Sequence, residues 1–191
     1  PFYGLAVLCS DDLVIRDLRP HIRRPVVTYG VEAGADYRAT QIRQDGTRMQ
    51  FEVALMGERR IEVDLPIPGF HNVRNALAAI AVADKVGIAA DAIIEGLRSF
   101  AGIDRRFEIL GEMILSPGQA LLVDDYAHHP REIEATLAAA QGCWPDRRKV
   151  VVFQPHRFTR TQELLDDFSA LLDGVACLVI TEVYAAGEKP I

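Results

Sequence analysis

Apolar and polar residues alternate with a period of two between Pro25 and Pro66. Such alternation is typical of strands that bury one face. It predicts four antiparallel strands, with Asp45-Gly46 as a tight turn between the second and the third. The predicted strands cover residues 26–29, 37–40, 49–55 and 61–65.

Two helices are predicted next, because the period changes after Pro68-Gly69. The first runs from about 72 to 86 and the second from about 91 to 100, and Gly87 and Gly102 are predicted to close them. A hairpin should then pair residues 106–110 with residues 121–123 across Ser116-Pro117-Gly118. We place a domain boundary between the helices and this hairpin, so that the two parts cover residues 1–103 and 104–191.

The second part contains three short apolar runs typical of buried strands, separated by two helical patterns. One helix has its apolar face at Ile133, Leu137 and Ala140, and the other has it between Leu164 and Leu172. This order predicts a parallel, right-handed βαβαβ sheet. The fold class is therefore α/β, with a Rossmann-like parallel sheet in the C-terminal part and mixed antiparallel strands plus a helical pair in the N-terminal part. The three runs cover residues 120–123, 149–153 and 176–180.

Each apolar run ends in polar side chains. The first is followed by Asp124-Asp125-Tyr126-Ala127-His128-His129-Pro130, in which Pro130 suits the first position of a helix. The second is followed by residues 154–160 and the third by residues 181–184. Ligands bind at the carboxyl ends of strands in open parallel sheets, so these three loops are predicted to converge on one site.

Composition narrows the class of protein. With 191 residues and 49% hydrophobic content the chain can bury a core, and a net charge of −6 argues against nonspecific binding to nucleic acid. The three cysteines have no C-x-x-C spacing, which argues against a disulfide framework and a zinc site. No apolar run reaches the ~18 residues of a membrane helix. These features predict a soluble, cytoplasmic protein with no membrane or nucleic-acid partner.

Two asparagines lie one turn apart on the first predicted helix. An Asn amide presents a donor and an acceptor together, which matches the N6 and N7 edge of adenine. Asn72 taken alone is expected to cap the helix, whereas Asn75 lies inside the helix, where Asn is unfavourable and needs another reason.

Two pairs of adjacent charged residues lie near or after the domain boundary, and the two side chains of each pair are expected to point in different directions. Arg105 and Arg106 are predicted in a strand, so that one faces a ligand and the other solvent; a pair of surface arginines is the alternative. Asp124 and Asp125 cannot both face the same way either, which makes a two-carboxylate metal site improbable.

The histidines allow two interpretations. His128 and His129 are adjacent, but a third metal ligand at recognisable spacing is missing, so we predict no metal site. His156, Arg157 and Arg160 surround a predicted helix start, where they favour a carboxylate or phosphate group; a solvated helix start is the alternative.

Four ordered motifs together resemble the Mur ligase family, and in particular its alanine-adding branch. They are GFHNVRNALAA at 69–79, DRRFE at 104–108, LVDDYAHHP at 122–130 and FQPHRFTRT at 153–161. The resemblance implies an enzyme of peptidoglycan precursor synthesis that uses ATP and magnesium to join L-alanine to UDP-N-acetylmuramate through an acyl phosphate. The related branch that recycles a murein tripeptide is the alternative within the family, although it lacks the HRFTR motif.

Site residues follow from the resemblance by position. Asn75, with Asn72 beside it, would contact adenine, while Arg106 would contact the nucleotide phosphates and Asp125 the ribose. The amino-acid and acyl-phosphate end would be formed by His156, Arg157 and Arg160, and Tyr126 and His128 would shape the alanine pocket.

The sequence also departs from the family pattern. It contains no G-x-x-x-x-G-K-S/T loop, and the magnesium ligands and the UDP-sugar domain are expected upstream. We therefore expect a fragment that is inactive alone, consisting of the later part of the central ATP-binding domain (1–103) and the first part of the C-terminal domain (104–191). A non-catalytic nucleotide-binding module is the alternative outside the enzyme class.

Overall fold

The computed structural model describes residues 4–57, 59–116 and 118–191. Two compact units divide the chain, Pro1–Gly102 and Ile103–Ile191. The first unit contains a five-stranded mixed sheet and three helices, and the second contains two two-stranded sheets and three helices among its described residues. The α/β class predicted from the sequence is confirmed.

The first unit is built on strands β1 to β5, which lie in the sheet in chain order. β1 and β2 are parallel, as are β2 and β3, whereas β3, β4 and β5 are antiparallel. Helix α1 follows β1, a single 3-10 turn covers Arg19–His21, and helices α2 and α3 follow β5. The bounds are β1 Ala6–Cys9, α1 Leu13–Leu18, β2 Val26–Gly30, β3 Tyr37–Asp45, β4 Arg48–Ala54, β5 Arg60–Leu65, α2 Phe70–Lys85 and α3 Ala90–Arg98.

The prediction that all four strands are antiparallel was wrong for β2. Alternation shows which face of a strand is buried, but it contains no information about the direction of the neighbouring strand. β2 and β3 are staggered, so that only Tyr29↔Tyr37 and Gly30↔Arg38 pair. Because β3 begins beside the end of β2, the six residues between them suffice for a parallel arrangement. β1 was not predicted.

The core of the first unit follows from the alternation. Met49, Phe51 and Val53 are buried on one side of β4, and a helical stripe of α2 packs in the same hydrophobic cluster. α2 ends at Lys85, and Gly87 closes it as predicted. The φ of 86° at Gly87 is easy for glycine, and the N–H groups of Gly87 and Ile88 donate to carbonyls of the helix. Gly102 does not close α3, since α3 ends at Arg98.

The second unit begins with the predicted hairpin, formed by β6 and β7. Pro117 of its predicted turn lies outside the described residues. α4 follows β7, and β8 and β9 form a parallel pair as predicted. The chain between β8 and β9 forms two helices, α5 and α6, where one was predicted. The bounds are β6 Glu108–Leu115, β7 Gly118–Asp124, α4 Pro130–Cys143, β8 Val151–Phe153, α5 Phe158–Glu163, α6 Leu165–Leu172 and β9 Leu178–Ile180.

The predicted three-stranded parallel sheet is divided differently. Among the described residues β7 pairs with β6 alone, and β8 pairs with β9 in a separate sheet. The hairpin partner is close in the chain and offers β7 a register along its whole length, whereas β8 and β9 each have three residues. Ile133 of α4, Phe153 of β8 and Phe168 of α6 share one hydrophobic cluster, which fixes α4 against the β8–β9 layer.

Candidate functional site

Four rings from three loops lie together in the second unit. His156 is central: its ring centroid is 5.7 Å from that of Tyr126, 5.8 Å from that of His128 and 5.0 Å from that of Tyr184. His128 and His156 are stacked with an interplanar angle of 22°. The loops after β7, β8 and β9 therefore meet, as the sequence predicts. We call these four residues the ring cluster.

Backbone hydrogen bonds connect two of these loops. The N–H of Arg157 donates to the carbonyl of Tyr184 at 2.8 Å, and the N–H of Tyr184 donates to the carbonyl of Pro155 at 2.8 Å. His156 and Tyr184 thus form a parallel bridge just beyond the β8–β9 pair. The residues on either side of His156, Pro155 and Arg157, are thus bonded through their backbones to Tyr184, and these bonds fix the position of His156.

The electrostatics of the ring cluster favour a neutral His156. Burial lowers the pKa of His156 below its usual range, and the electrostatic effects of His128, Arg160 and Arg105 lower it further. At neutral pH its imidazole is therefore uncharged and has one nitrogen able to accept a proton. The Nδ1 atom of His128 lies 2.9 Å from the carbonyl oxygen of Tyr126, and since a carbonyl only accepts, Nδ1 carries a proton.

Two guanidinium groups lie near the ring of Tyr126. The guanidinium carbon of Arg105 is 5.0 Å from the ring centroid and that of Arg106 is 5.8 Å from it, within the range of a cation–π contact. The prediction that the two arginines lie in a strand and face opposite ways was wrong. β6 begins only at Glu108, and the left-handed φ angles of Arg105 (57°) and Phe107 (50°) break the extended conformation.

The two adjacent aspartates have different partners. Asp125 accepts the N–H of Phe107 through Oδ2 and that of Ala127 through Oδ1, each at 2.8 Å. Asp124 instead accepts from Nε of Arg105 at 3.2 Å, and both of those side chains are substantially exposed. The carboxylate of Asp125 therefore fixes the loop between β7 and α4, which positions Tyr126 and His128.

The side chain of His129 caps the start of α4. Its Nδ1 atom accepts the N–H of Arg131 at 3.3 Å, while Glu132 accepts the N–H groups of His128 and His129 at 3.0 and 3.2 Å. Burial raises the pKa of Glu132, but these N–H groups and the charges of His128 and Arg106 outweigh it, so the pKa lies below its usual range. Pro130 occupies the first helical turn, as predicted.

The described residues offer no cluster of three or more His, Cys, Asp or Glu side chains suited to a metal ion. His129 uses its Nδ1 atom in the cap. Within the part of the chain that the structure describes, no helix is both long and apolar enough to cross a lipid bilayer.

The predicted cationic group follows β8. Arg157 precedes α5 and has a left-handed φ of 71°, and its half-exposed side chain forms an ion pair with Glu188, with Nε 3.8 Å from Oε1. Arg160 lies one turn further on and is half-buried. The sequence reasoning missed Glu188 altogether, and it recorded Tyr184 at the strand end without giving it a role. Tyr184 follows a strand in the same way as Tyr126, which is the signal that identifies it.

Asn72 and Asn75 lie in the first unit, on the first two turns of α2. Gly69 is the residue before the helix, so the expectation that Asn72 caps it was wrong. Nδ2 of Asn72 instead donates to the carbonyl of Pro68 at 2.7 Å. Nδ2 of the exposed Asn75 donates to Oδ1 of Asn72 at 3.2 Å. The contact confirms that the two amides share one face of the helix.

Both units match domains of one protein family. Residues 1–83 match the Mur ligase middle domain, and residues 105–190 match the Mur ligase glutamate ligase domain. The chain therefore belongs to the Mur ligase family.

Relatives within the family share much of this sequence. A UDP-N-acetylmuramate–L-alanine ligase of Halorhodospira halophila is 55% identical over 188 residues, which are 98% of this chain and 39% of the relative. One of Bordetella avium is 50% identical over 199 aligned residues, covering 100% of this chain and 42% of the relative. The chain thus spans about two fifths of the length of these relatives.

A solved structure has the same fold. It is the UDP-N-acetylmuramate–alanine ligase of Thermotoga maritima, with a TM-score of 0.76 and 33% identity over 96% of this chain and 39% of that one.

Proposed function

We propose that this chain is part of an ATP-dependent ligase that joins L-alanine to UDP-N-acetylmuramate in peptidoglycan precursor synthesis. The observation that carries the proposal is the ring cluster, in which a neutral His156 lies between aromatic rings and near several cationic groups. The two relatives named for this reaction, which are 55% and 50% identical to the chain, support it.

The reaction proceeds in two steps. The carboxylate of UDP-N-acetylmuramate attacks the γ-phosphorus of ATP, which forms an acyl phosphate and releases ADP. The neutral amine of L-alanine then attacks the acyl carbon, an amide forms, and phosphate leaves with one oxygen of the original carboxylate. The second step needs an amine without its extra proton and positive charge near the leaving phosphate.

Residues of the second unit match these needs. Arg157 and Arg160 would hold the anionic groups of the amino acid and the acyl phosphate, and the unprotonated nitrogen of His156 would accept a hydrogen bond or a proton from the amine. Tyr126 and His128, which contact the ring of His156, would line the pocket for the small alanine side chain.

The nucleotide would be bound by residues with remaining hydrogen-bonding capacity. Asn75 donates one N–H to Asn72, which leaves its second N–H and its Oδ1 atom for the adenine edge. Each oxygen of Asp125 accepts one backbone N–H, and a carboxylate oxygen can also accept a ribose hydroxyl. Arg106, whose exposed side chain is loosely paired with Glu132 at 3.5 Å, would turn to the nucleotide phosphates.

The remaining parts of the enzyme would be supplied by the intact protein. We assign residues 1–103 to the later part of the central domain and residues 104–191 to the first part of the C-terminal domain. The described residues contain no group of three or more His, Cys, Asp or Glu side chains suited to a metal ion. We assign the ligands of the Mg²⁺ that such a ligase uses to residues upstream of this chain. The enzyme would work in the cytoplasm, and the isolated chain should have no turnover.

The test is phosphate release by the full-length protein. We expect release that requires ATP, UDP-N-acetylmuramate and L-alanine together, and transfer of ¹⁸O from the labelled substrate carboxylate into the phosphate. Release with a murein tripeptide but not with L-alanine would indicate the recycling branch. Nucleotide binding without any release would indicate a non-catalytic module, and either result would refute the proposal.

A further inference from the structure

The carboxylate of Glu188 lies at the first turn of α5. Its Oε2 atom accepts the N–H of Thr159 at 3.0 Å, and its Oε1 atom accepts the hydroxyl of Thr159 at 2.7 Å. The same Oε1 atom is 3.8 Å from Nε of Arg157. One carboxylate therefore contacts both the start of the helix and the arginine that precedes it.

The side chains of Glu188 and Arg157 differ in how much of their surface is exposed. The side chain of Glu188 is 20% exposed, whereas that of Arg157 is 52% exposed. The N–H and hydroxyl of Thr159 lower the pKa of Glu188 below its usual range, so the carboxylate is charged at neutral pH. Glu188 is thus the fixed partner, and Arg157 keeps much of its surface available to a ligand.

The backbone of Arg157 is in a conformation unusual for its type. Its φ of 71° lies in the left-handed region, which costs a residue with a side chain of order 1 kcal/mol or more unless its surroundings hold it there. The N–H of Arg157 donates to the carbonyl of Tyr184, and the N–H and hydroxyl of Thr161 donate to the carbonyl of Arg157, so its backbone is held on both sides. Glu188 contacts the side chain, which leaves this fixed backbone.

We propose that Glu188 is a positioning residue for the ligase reaction: it holds Arg157 and the first turn of α5 in the orientation in which the guanidinium meets the substrate anion. The inference rests on the proposed function. The alternative role is competition: Glu188 would compete with the substrate anion for Arg157. In that case removing the carboxylate would lower the KM for L-alanine.

Two substitutions in the full-length enzyme separate charge from hydrogen bonding. Glu188→Ala removes both contacts, and we expect kcat/KM for L-alanine to fall by about 10-fold to 100-fold, chiefly through kcat. Glu188→Gln can retain both bonds to Thr159, because the amide oxygen accepts the N–H and the amide nitrogen donates to the hydroxyl. It loses only the attraction to Arg157, so we expect a smaller decrease.

Hydrogen exchange of residues 156–163 supplies a readout apart from activity. We expect Glu188→Ala to accelerate exchange in this segment and Glu188→Gln to leave it protected. Glu163→Ala is the matched control, since it removes an exposed acid from the other end of α5. It should preserve both protection and kcat/KM.

A double-mutant cycle with Arg157→Ala tests whether Glu188 acts through Arg157. If it does, Glu188→Ala has little further effect once Arg157 is gone. Independent, multiplying effects, wild-type activity of Glu188→Ala or a lowered KM would each overturn the inference while the wild-type enzyme stays active. Absence of L-alanine-dependent phosphate release from the wild type would instead refute the proposed function, and this inference with it.

Discussion

His156 is an imidazole kept neutral by its surroundings. Its own sequence neighbours, Pro155 and Arg157, predict a cation-rich loop, but they do not reveal that His128 and Arg105 also act on it. Those residues come from other segments of the second unit, so the lowered pKa is a property of the fold. The sequence could identify His156 as a candidate, whereas its protonation state required the structure.

The lowered pKa makes stability depend on pH in a definite direction. The unfolded chain protonates His156 near its ordinary pKa of about 6.5, and the folded chain does so at lower pH. His156 therefore costs the folded state no stability above about pH 6.5, and the folded state loses stability as the pH falls below that value. His156→Gln should lessen that loss.

Urea unfolding of the chain at pH 7.5 and 5.5 measures the difference. Substitution of the exposed His21, in the first unit, serves as the control. An equal pH dependence for wild type and His156→Gln would contradict the assignment of a neutral His156.

The neighbouring aspartates provide a matched pair. Asp125→Ala leaves the N–H groups of Phe107 and Ala127 without their carboxylate, and we expect it to reduce the free energy of unfolding by about 1–3 kcal/mol. Asp124→Ala removes only a surface pair with Arg105 and should cost about 1 kcal/mol or less. Denaturant unfolding of the two variants compares them, and equal losses would contradict the structural role of Asp125.

Residue-level prediction from sequence succeeded where spacing decides the geometry. The separation of Asn72 and Asn75 by one turn, and the different orientations of Asp124 and Asp125, follow from chain geometry. It failed for Arg105 and Arg106, since the left-handed residues of that segment are not glycines and leave no mark in the sequence. Glu188 was missed because its partners lie about thirty residues away in the chain, with a sequence separation of 29 to Thr159.

At the scale of elements, the start of α4 links stability to the site. Glu132 accepts N–H groups from His128 and His129, and Pro130 occupies the first turn. The lowered pKa of Glu132 means that its stabilising effect is present above its unfolded pKa of about 4.3 and is lost as the pH falls through the lower, folded value.

We expect Glu132→Ala to cost about 1 kcal/mol at pH 7, a typical value for a lost helix cap. Unfolding curves recorded from pH 7 to pH 3 should converge for wild type and variant as Glu132 becomes protonated. Glu134→Ala, which removes an exposed acid from the same helix, should change little. A constant gap between wild type and Glu132→Ala at all these pH values would count against the cap.

Strand and helix positions were largely predictable, but strand pairing was not. Alternation located β2 to β5 and the period of 3.6 located α2, α3, α4 and α6. The direction of β2, the separate pairing of β7 and the existence of β1 depend on contacts between distant segments, which local patterns do not encode. The predicted meeting of the three loops did not depend on the strand pairing, because the loops after β7, β8 and β9 still meet in the ring cluster.

On the scale of the whole molecule, the chain is two units that match two domains of the Mur ligases. It spans 39% of the length of a relative that is 55% identical to it. The four motifs of the sequence were sufficient to indicate the family. Two of them, at 122–130 and 153–161, lie at the strand ends that build the ring cluster.

The most direct test of the account is the activity of Arg157→Ala in the full-length protein. Arg157 precedes α5, carries a half-exposed guanidinium and is assigned to the anions of the reaction. Removing it should lower kcat by about 10²-fold to 10³-fold, as the loss of one group that stabilises developing charge does. Arg148→Ala, which removes an exposed arginine before β8, is the control and should retain activity. Wild-type kcat/KM for L-alanine in Arg157→Ala would contradict the account.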